Sequence, residues 1–424
     1  MGVVVVTLLV DSQIGYIADF IPEQLSSSSG IAGFIVIAVI FAITQYFILV
    51  YIKQSKKETR ARALNLDLTY WIVSIAQYVL AGTLAFVILQ IIIAQQYSIV
   101  TLYVSHIISY GLWILILALL AKAFFSWYRL SNKNITVLIL ALSMVAYVVN
   151  GVTGLATYSN MLAQQKSVIT SKDVAYFPEF SITTLGSQID IIYQVAGAAA
   201  YIFTWIGTVK LLYPNIRKLG RVKFWTIMSA AVVYYLISFP LFVLGYYSPS
   251  ENVDAMTNIL IFSFASIFTG VIFGAAFLSV ARTLRRDTAL RNHMLMAAYG
   301  FLLFYIAGSA AAAQAAYPPY GLASVSLIGL SCYLIYSGLY SSAAIVSQDS
   351  TLRQSIRRSV TEQSRLLDSI GTAQMEQELQ SRVLTIARKN SGVMAEETGL
   401  ETSMTEEDMV DYLEIVMKEL HNKK

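Results

Sequence analysis

Cysteine is nearly absent. Cys332 is the single one in 424 residues, which excludes an intramolecular disulfide and any cysteine-based zinc site. Histidine is almost as scarce: His106, His293 and His421 stand in no HExxH or HxxxH pattern. Walker A loops, strand-borne GxGxxG turns and GxSxG elbows are also missing, so the sequence predicts no metal, no cofactor and no enzyme. Charged residues make up only 13% of the chain, and almost none falls in the middle of a long apolar run. An ionisable group at mid-bilayer costs roughly 2.5–3.5 kcal/mol and usually marks an ion or proton path, so this scarcity argues against a proton-driven pump. Lys122 and Lys210 lie close to run ends, which removes the mid-membrane lysine that a retinal Schiff base requires.

Apolar sequence fills the space. The hydrophobic fraction is 57% and the mean hydropathy +0.63, well outside the range of an average soluble domain. Nine continuous runs, at about 31–52, 70–94, 99–122, 135–157, 188–212, 224–247, 256–281, 294–316 and 322–346, each approach or exceed the ~20 residues that a spanning helix needs. They are too long and too uniform for the alternating strands of a barrel. The expected fold is therefore all-α, a polytopic bundle of about nine spans.

Basic residues give the bundle a direction, because they accumulate on cytoplasmic loops. Alternating loops hold Lys53 to Arg62, Lys122 to Lys133, Lys210 to Lys223 and Arg282 to Arg291; together with the tail they collect 27 of the 29 Lys and Arg, leaving only Lys166 and Lys172 on the other side. This predicts an N-terminus outside and a C-terminus in the cytoplasm, in the cell membrane. Tyr51, Tyr70, Trp71, Trp127, Tyr128, Tyr213 and Trp225 then mark the inner headgroup level, and Tyr97, Tyr158, Tyr246, Tyr247, Tyr317 and Tyr320 the outer one. Orientation and contact with anionic lipid account for the basic loops, so no nucleic-acid partner is implied.

Three regions follow. Residues 1–30 form an extracytoplasmic segment in which Ile14, Ile17, Ala18 and Ile21 recur at the spacing of an interfacial helix, with Asp11, Asp19 and Glu23 off that face. Residues 31–346 form the transmembrane domain. Pro240 should kink its sixth span, and Gly270, Gly274, Gly308, Ala312, Ala316, Gly338 and Ser342 place small residues at intervals of four in spans seven to nine, as close helix packing in lipid favours. Residues 347–424 form a cytoplasmic tail of amphipathic helices, where the net charge turns from +8 to −4. Leu352, Ile356, Leu366 and Ile370 make one stripe there, Met375, Leu379, Val383 and Ile386 another after Gly371. A polar linker from Ser391 to Glu401 precedes a capping-box start at Thr405. With no Pro or Gly between Gly338 and Ser359, the ninth span is expected to run on into the tail as one helix. Unburied stripes need a partner: a cytosolic protein, or a second copy in a homodimer.

Polar residues within the spans gather in the predicted outer half. His106, Asn150, Asp190, Gln194, Asn258 and Gln314 are the candidate ligand-binding residues of an outward vestibule, with Gln90 and Asp254 nearby and Asp190 and His106 as its ionisable members. The plainer alternative is that each satisfies a neighbouring helix.

Tyr317-Pro318-Pro319-Tyr320-Gly321, Ser341-Ser342-Ala343 and the run Asp349 to Arg358 resemble a group of uncharacterised archaeal multi-pass membrane proteins over the last third of the chain. That resemblance implies location and architecture, and no chemistry. The chain is also loosely similar to the membrane halves of sensor histidine kinases, where a final span feeds a signalling helix. It departs from them in lacking an HExxxP phosphoacceptor and an ATP-binding region, with His421 four residues from its end. The sequence thus reads as a receptor-like or regulatory membrane protein that relays an outside signal through its last span. A transporter or channel for a small solute or ion, or a non-catalytic assembly subunit, is the alternative.

Overall fold

In the computed structural model the described residues are 6–8, 10–11, 28–58, 64–94, 97–130, 134–163, 185–216, 220–243, 255–284, 288–308, 319–358 and 362–398. They are helical almost throughout and include no strand. The helices are α1 (Ser28–Glu58), α2 (Leu64–Ala94), α3 (Ile99–Leu130), α4 (Ile135–Ala163), α5 (Leu185–Leu212), α6 (Arg221–Val243), α7 (Ala255–Thr283), α8 (Ala289–Gly308), α9 (Leu322–Gln348), α10 (Ser350–Arg358) and α11 (Glu362–Thr398). Uniform apolar sequence becomes helix because a helix satisfies its own backbone groups where no water can. Among the described residues six helices, α1 to α5 and α9, are long and apolar enough to cross a membrane, so the chain is a multi-pass membrane protein. α6, α7 and α8 occupy the remaining three expected runs.

The ninth expected span, α9, turns out to be the axis of the molecule. α1, α2, α3, α4, α5, α7 and α8 touch in succession, with α8 returning to α1, while α6 packs outside against α5 and α7. α9 stands inside, against α1, α2, α3 and α8. Its span is 100% buried, compared with 33–50% for the other five. Its composition is compatible with the placement, although α5, at a mean hydropathy of 1.5 and 39% buried, is less apolar still. A helix that never meets lipid can be less apolar, and the mean hydropathy of α9, 1.7, is below the 2.1–2.5 of α1 to α4. Ser326, Ser331 and Ser342 donate to carbonyls one turn back in the same helix, at 2.7, 2.8 and 2.7 Å, so these buried hydroxyls need no outside partner.

Small residues set the closest approaches. A Cβ on Gly338 would stand 2.6 Å from the His293 carbonyl oxygen and 2.7 Å from the Ala297 nitrogen of α8; one on Gly300 would meet the Ile335 nitrogen at 2.7 Å. Gly274 lies as tightly against the Ala298 carbonyl, whereas Gly308 faces open space. Ala312, Ala316 and the Pro318 side of the turn fall outside the described residues.

The expectation of one continuous helix from span into tail is overturned. α9 ends at Gln348, and Asp349 adopts an extended conformation (φ −99°, ψ 103°). Its carboxylate accepts from the backbone N–H of Thr351 and of Leu352, both at 2.9 Å, and from the Thr351 hydroxyl at 2.7 Å, so it starts α10. Neither Pro nor Gly was needed, since an aspartate that captures N–H groups ahead of it ends one helix by opening the next. Arg353 then turns back to donate to the Ser347 carbonyl at 2.8 Å. After α10 the chain returns as α11, which packs under the ends of α3, α4, α5, α7 and α9. Gly371 does not divide two stripes but lies within α11, and the polar stretch from Ser391 remains helical as far as Thr398. The Thr405 segment lies outside the described residues, as does the interfacial stripe from Ile14 to Ile21.

Of the expected aromatic belt, Trp71, Tyr213 and Trp225 are exposed at 63%, 50% and 45%, as headgroup anchors would be. Trp127 is not one of them: it is fully buried beneath α11.

Candidate functional site

Three helices bring half of the expected vestibule residues into one seam. His106 on α3 is fully buried and lies against the Tyr110 ring, with centroids 4.4 Å apart, and edge-on to Tyr158 of α4 at 6.2 Å. Asn150 on α4 donates to the Tyr193 carbonyl of α5 at 2.9 Å. About two turns further on, the Thr157 hydroxyl donates to the Asp190 carboxylate at 2.6 Å. The Tyr158 and Tyr193 hydroxyls meet at 3.2 Å, and Tyr103 donates to the Ser159 carbonyl. A Cβ on Gly154 would stand 2.9 Å from the Tyr193 ring and 3.2 Å from Tyr110, so glycine is what lets the tyrosines close over this point. Gln194, next to Tyr193, is half-buried.

The seam is filled by rings, and Asn150 and Asp190 are bonded between α4 and α5. In this conformation it joins α3, α4 and α5. A small cavity lies elsewhere, between Leu8, α1 and α9, and is about the size of one water. Gln90 accepts from the Ser98 N–H at 3.1 Å and so shapes the α2–α3 turn. The side chain of Asn258, with Asp254 and Gln314, lies outside the described residues. Among those described, no three His, Cys, Asp or Glu are placed to hold a metal.

Three polar arrangements were not read from the sequence, and two of them sit at the ends of α9. At the Gly321 end, Asp11 is fully buried. Its Oδ1 accepts from the Gly321 N–H at 3.0 Å; its Oδ2 accepts from the Ser324 N–H at 2.9 Å and from the Ser324 hydroxyl at 2.7 Å. Burial raises the carboxyl above its ordinary range, while the Ser324 and Gly321 donors pull it back. Burial and the adjacent Asp11 together push Tyr320 up to about 12. Gly321, at φ +80°, carries no side chain that could cap α9, and Asp11 supplies that cap from 310 residues away.

At the other end, the Trp127 indole N–H donates to the Gln374 side-chain oxygen at 3.0 Å, and the Gln374 amide donates to Glu378 at 3.1 Å. Ser347 of α9 donates to the same Glu378 oxygen at 3.5 Å, and Asn134 donates to Ser369 at 2.8 Å. Around these bonds Leu366, Leu367, Ile370 and Ala373 are buried, whereas Leu379, Val383 and Ile386 further along α11 are 48%, 41% and 59% exposed.

The third arrangement is a ladder across α1, α2 and α9. Gln45 donates to the Gln77 carbonyl at 2.7 Å, and Gln77 donates to the Ser326 carbonyl at 3.1 Å. A glutamine within an apolar run was a signal that could have been followed; for Asp11 no local signal exists.

Comparison with protein-family models, with curated proteins and with solved structures finds no match to this chain.

Proposed function

We propose that this multi-pass membrane protein is a receptor-like regulator, in which events at the α3–α4–α5 seam bias the docking of α11 on the opposite end of the bundle. The observation that carries the reading is the partly buried Trp127–Gln374–Glu378–Ser347 chain. It ties α11 to α3 and to the central helix α9 at once, while the far half of α11 leaves Leu379, Val383 and Ile386 uncovered. The same helix α3 carries His106 in the seam and Trp127 under α11, so one rigid element reaches both places. A cytosolic protein, or a second copy of the chain, engages α11 beyond Glu378. The break at Asp349 replaces a rod that pushes through the membrane with a dock-and-release change of α11, a two-state packing rearrangement.

The reading includes nine spans with the N-terminus outside. Helix pairing supports the count: Trp205 of α5 bonds the Met228 carbonyl of α6, Gly270 and Gly274 of α7 meet Leu302 and Ala298 of α8, and Gly338 of α9 meets Ala297 and His293. Successive helices thus run antiparallel. Tyr201, Phe273 and Tyr305 touch near the level of Tyr147, so α7 and α8 pass beside α4 and α5 at mid-depth.

Spin labels at Tyr213→Cys and Val383→Cys, in a Cys332→Ala background, measure the separation of α11 from the bundle. Asp190→Asn and His106→Ala are expected to shift the distance distribution. Distributions identical to those of the unsubstituted seam would end the relay reading.

A further inference from the structure

The N-terminal segment has one polar attachment and one thin apolar edge. Residues 6–8, 10 and 11 are helical, Leu8 and Asp11 are buried, and Val6 and Val10 between and beside them are 60% and 50% exposed. Leu8 reaches into the groove between α1 and α9, but it does not fill it: the water-sized cavity there is lined by Thr7, Leu8, Ile37, Ile40, Phe41, Thr44, Ala323 and Leu327. The described residues of this segment hold to the bundle through Leu8 and Asp11. What it docks against is the N-terminus of α9, where the first N–H groups of a helix have no intrahelical acceptor. The Gly321 and Ser324 N–H groups both point to the Asp11 carboxylate, and the Ser324 hydroxyl also donates to the Leu8 carbonyl at 3.3 Å.

These groups depend on one another. Without Asp11 the end of α9 keeps buried, unpaired donors, which is stable only if water or another acceptor enters. With Asp11 the end is sealed. The Tyr320 ring, edge-on to Phe34 of α1 at 5.7 Å, completes the closure from the turn side.

We propose that residues 6–11 form a releasable strap, latched by Asp11 onto the Gly321 end of the central helix, and that release of the strap opens this end of α9 to water and lets it shift. The strap does not rest on the relay reading: it stands whether or not α11 engages a partner. Through α9 it gives the molecule a control point at the end opposite α11.

The sole cysteine makes the test direct. In a Cys332→Ala background, Leu8→Cys reports strap docking through its rate of reaction with a membrane-impermeant maleimide on the full chain in mild detergent. Cys332 in the native background, fully buried within α9, reports whether the bundle stays closed. With Asp11 present, Leu8→Cys should react slowly. Asp11→Ala should speed it by about tenfold or more, as expected for loss of hydrogen bonds to a charged group, while Cys332 stays protected. Asp11→Asn and Ser324→Ala, which each keep part of the latch, should fall between. Equal rates in the Asp11 and Asp11→Ala proteins, fast or slow, would overturn the strap. So would exposure of Cys332 in all three variants, since Asp11 would then be a cap that the fold cannot release.

Discussion

Asp349 is a single exposed side chain that decides where the membrane domain stops. Its carboxyl lies below the ordinary carboxylate range because the Leu352 N–H and the Thr351 hydroxyl and N–H bond its charged form, with Arg353 nearby adding to the effect. A depressed carboxyl contributes its stabilisation above its unfolded value and loses it as the pH falls through the folded one. The cap should therefore be intact at neutral pH and fail only in strong acid. Asp349→Ala should cost α10 about 1 kcal/mol, typical of an N-cap, and towards the lower end of the range because the site is exposed. Amide exchange at Thr351 and Leu352 measures it: the variant should exchange faster at pH 7 and match the parent once the parent's carboxyl is protonated. Unchanged exchange at pH 7 would mean that the cap does not hold α10. Asp349 was readable as the start of a charged helix, but its role as a stop was not. Nothing local separates an aspartate that caps from one that merely begins a polar stretch; the difference lies in where α11 must return. Asp11 was less legible still, because its partners are at Gly321 and Ser324.

At the scale of elements, the positions of the spans were legible and their environments were not. Long apolar runs show where helices lie, since each run must satisfy its own backbone in lipid. Which helix is enclosed depends on the others. The signature of α9 was a wealth of Ser, Gly and Ala, which reads as close packing to a neighbour; enclosure on every side is the stronger form of the same signal. Likewise His106, Asn150 and Asp190 were picked out as polar groups in apolar helices, and the structure brings them to one seam, where Asn150 and Asp190 bond between α4 and α5 and His106 meets the Tyr158 ring. Gly371 illustrates the limit. In sequence it separates two stripes; in space it is where α11 crosses the end of α9, and any Cβ would overlap the Val346 side chain. Gly371→Leu should lift α11 off by overpacking, which typically costs about 1–3 kcal/mol. Ala373→Cys, fully buried in the native protein, should then react with a hydrophilic maleimide in the Cys332→Ala background. Continued protection would show that α11 docks without this crossing.

For the whole molecule, the ends of α9 fix a relation that does not depend on which side is cytoplasmic. At 27 residues and about 1.5 Å each, the helix spans roughly 40 Å, enough to cross a bilayer, so Asp11 and α11 lie on opposite sides. Trp127 near the end of α3, Asn134 before the start of α4 and Ser347 at the end of α9 all bond α11, which places these three ends together. Between the end of α3 and the start of α9 the chain must therefore cross an odd number of times. On the proposed nine-span reading α4 to α8 supply five crossings, in keeping with the antiparallel pairing of α5 with α6, α7 with α8 and α8 with α9. Cysteines in the Cys332→Ala background at Ile93, Val100, Tyr213 and Val222, all exposed, put the arrangement to the test. In sealed right-side-out vesicles an impermeant maleimide should reach Ile93→Cys and Val100→Cys, whereas Tyr213→Cys and Val222→Cys should react only after permeabilisation. A cysteine in the turn before α7 should again react from outside if α6 crosses, and only after permeabilisation if it does not. The reverse pattern at the first four sites would invert the molecule and move the strap to the cytoplasmic face, but it would leave Asp11 and α11 at opposite ends of the one helix that joins them.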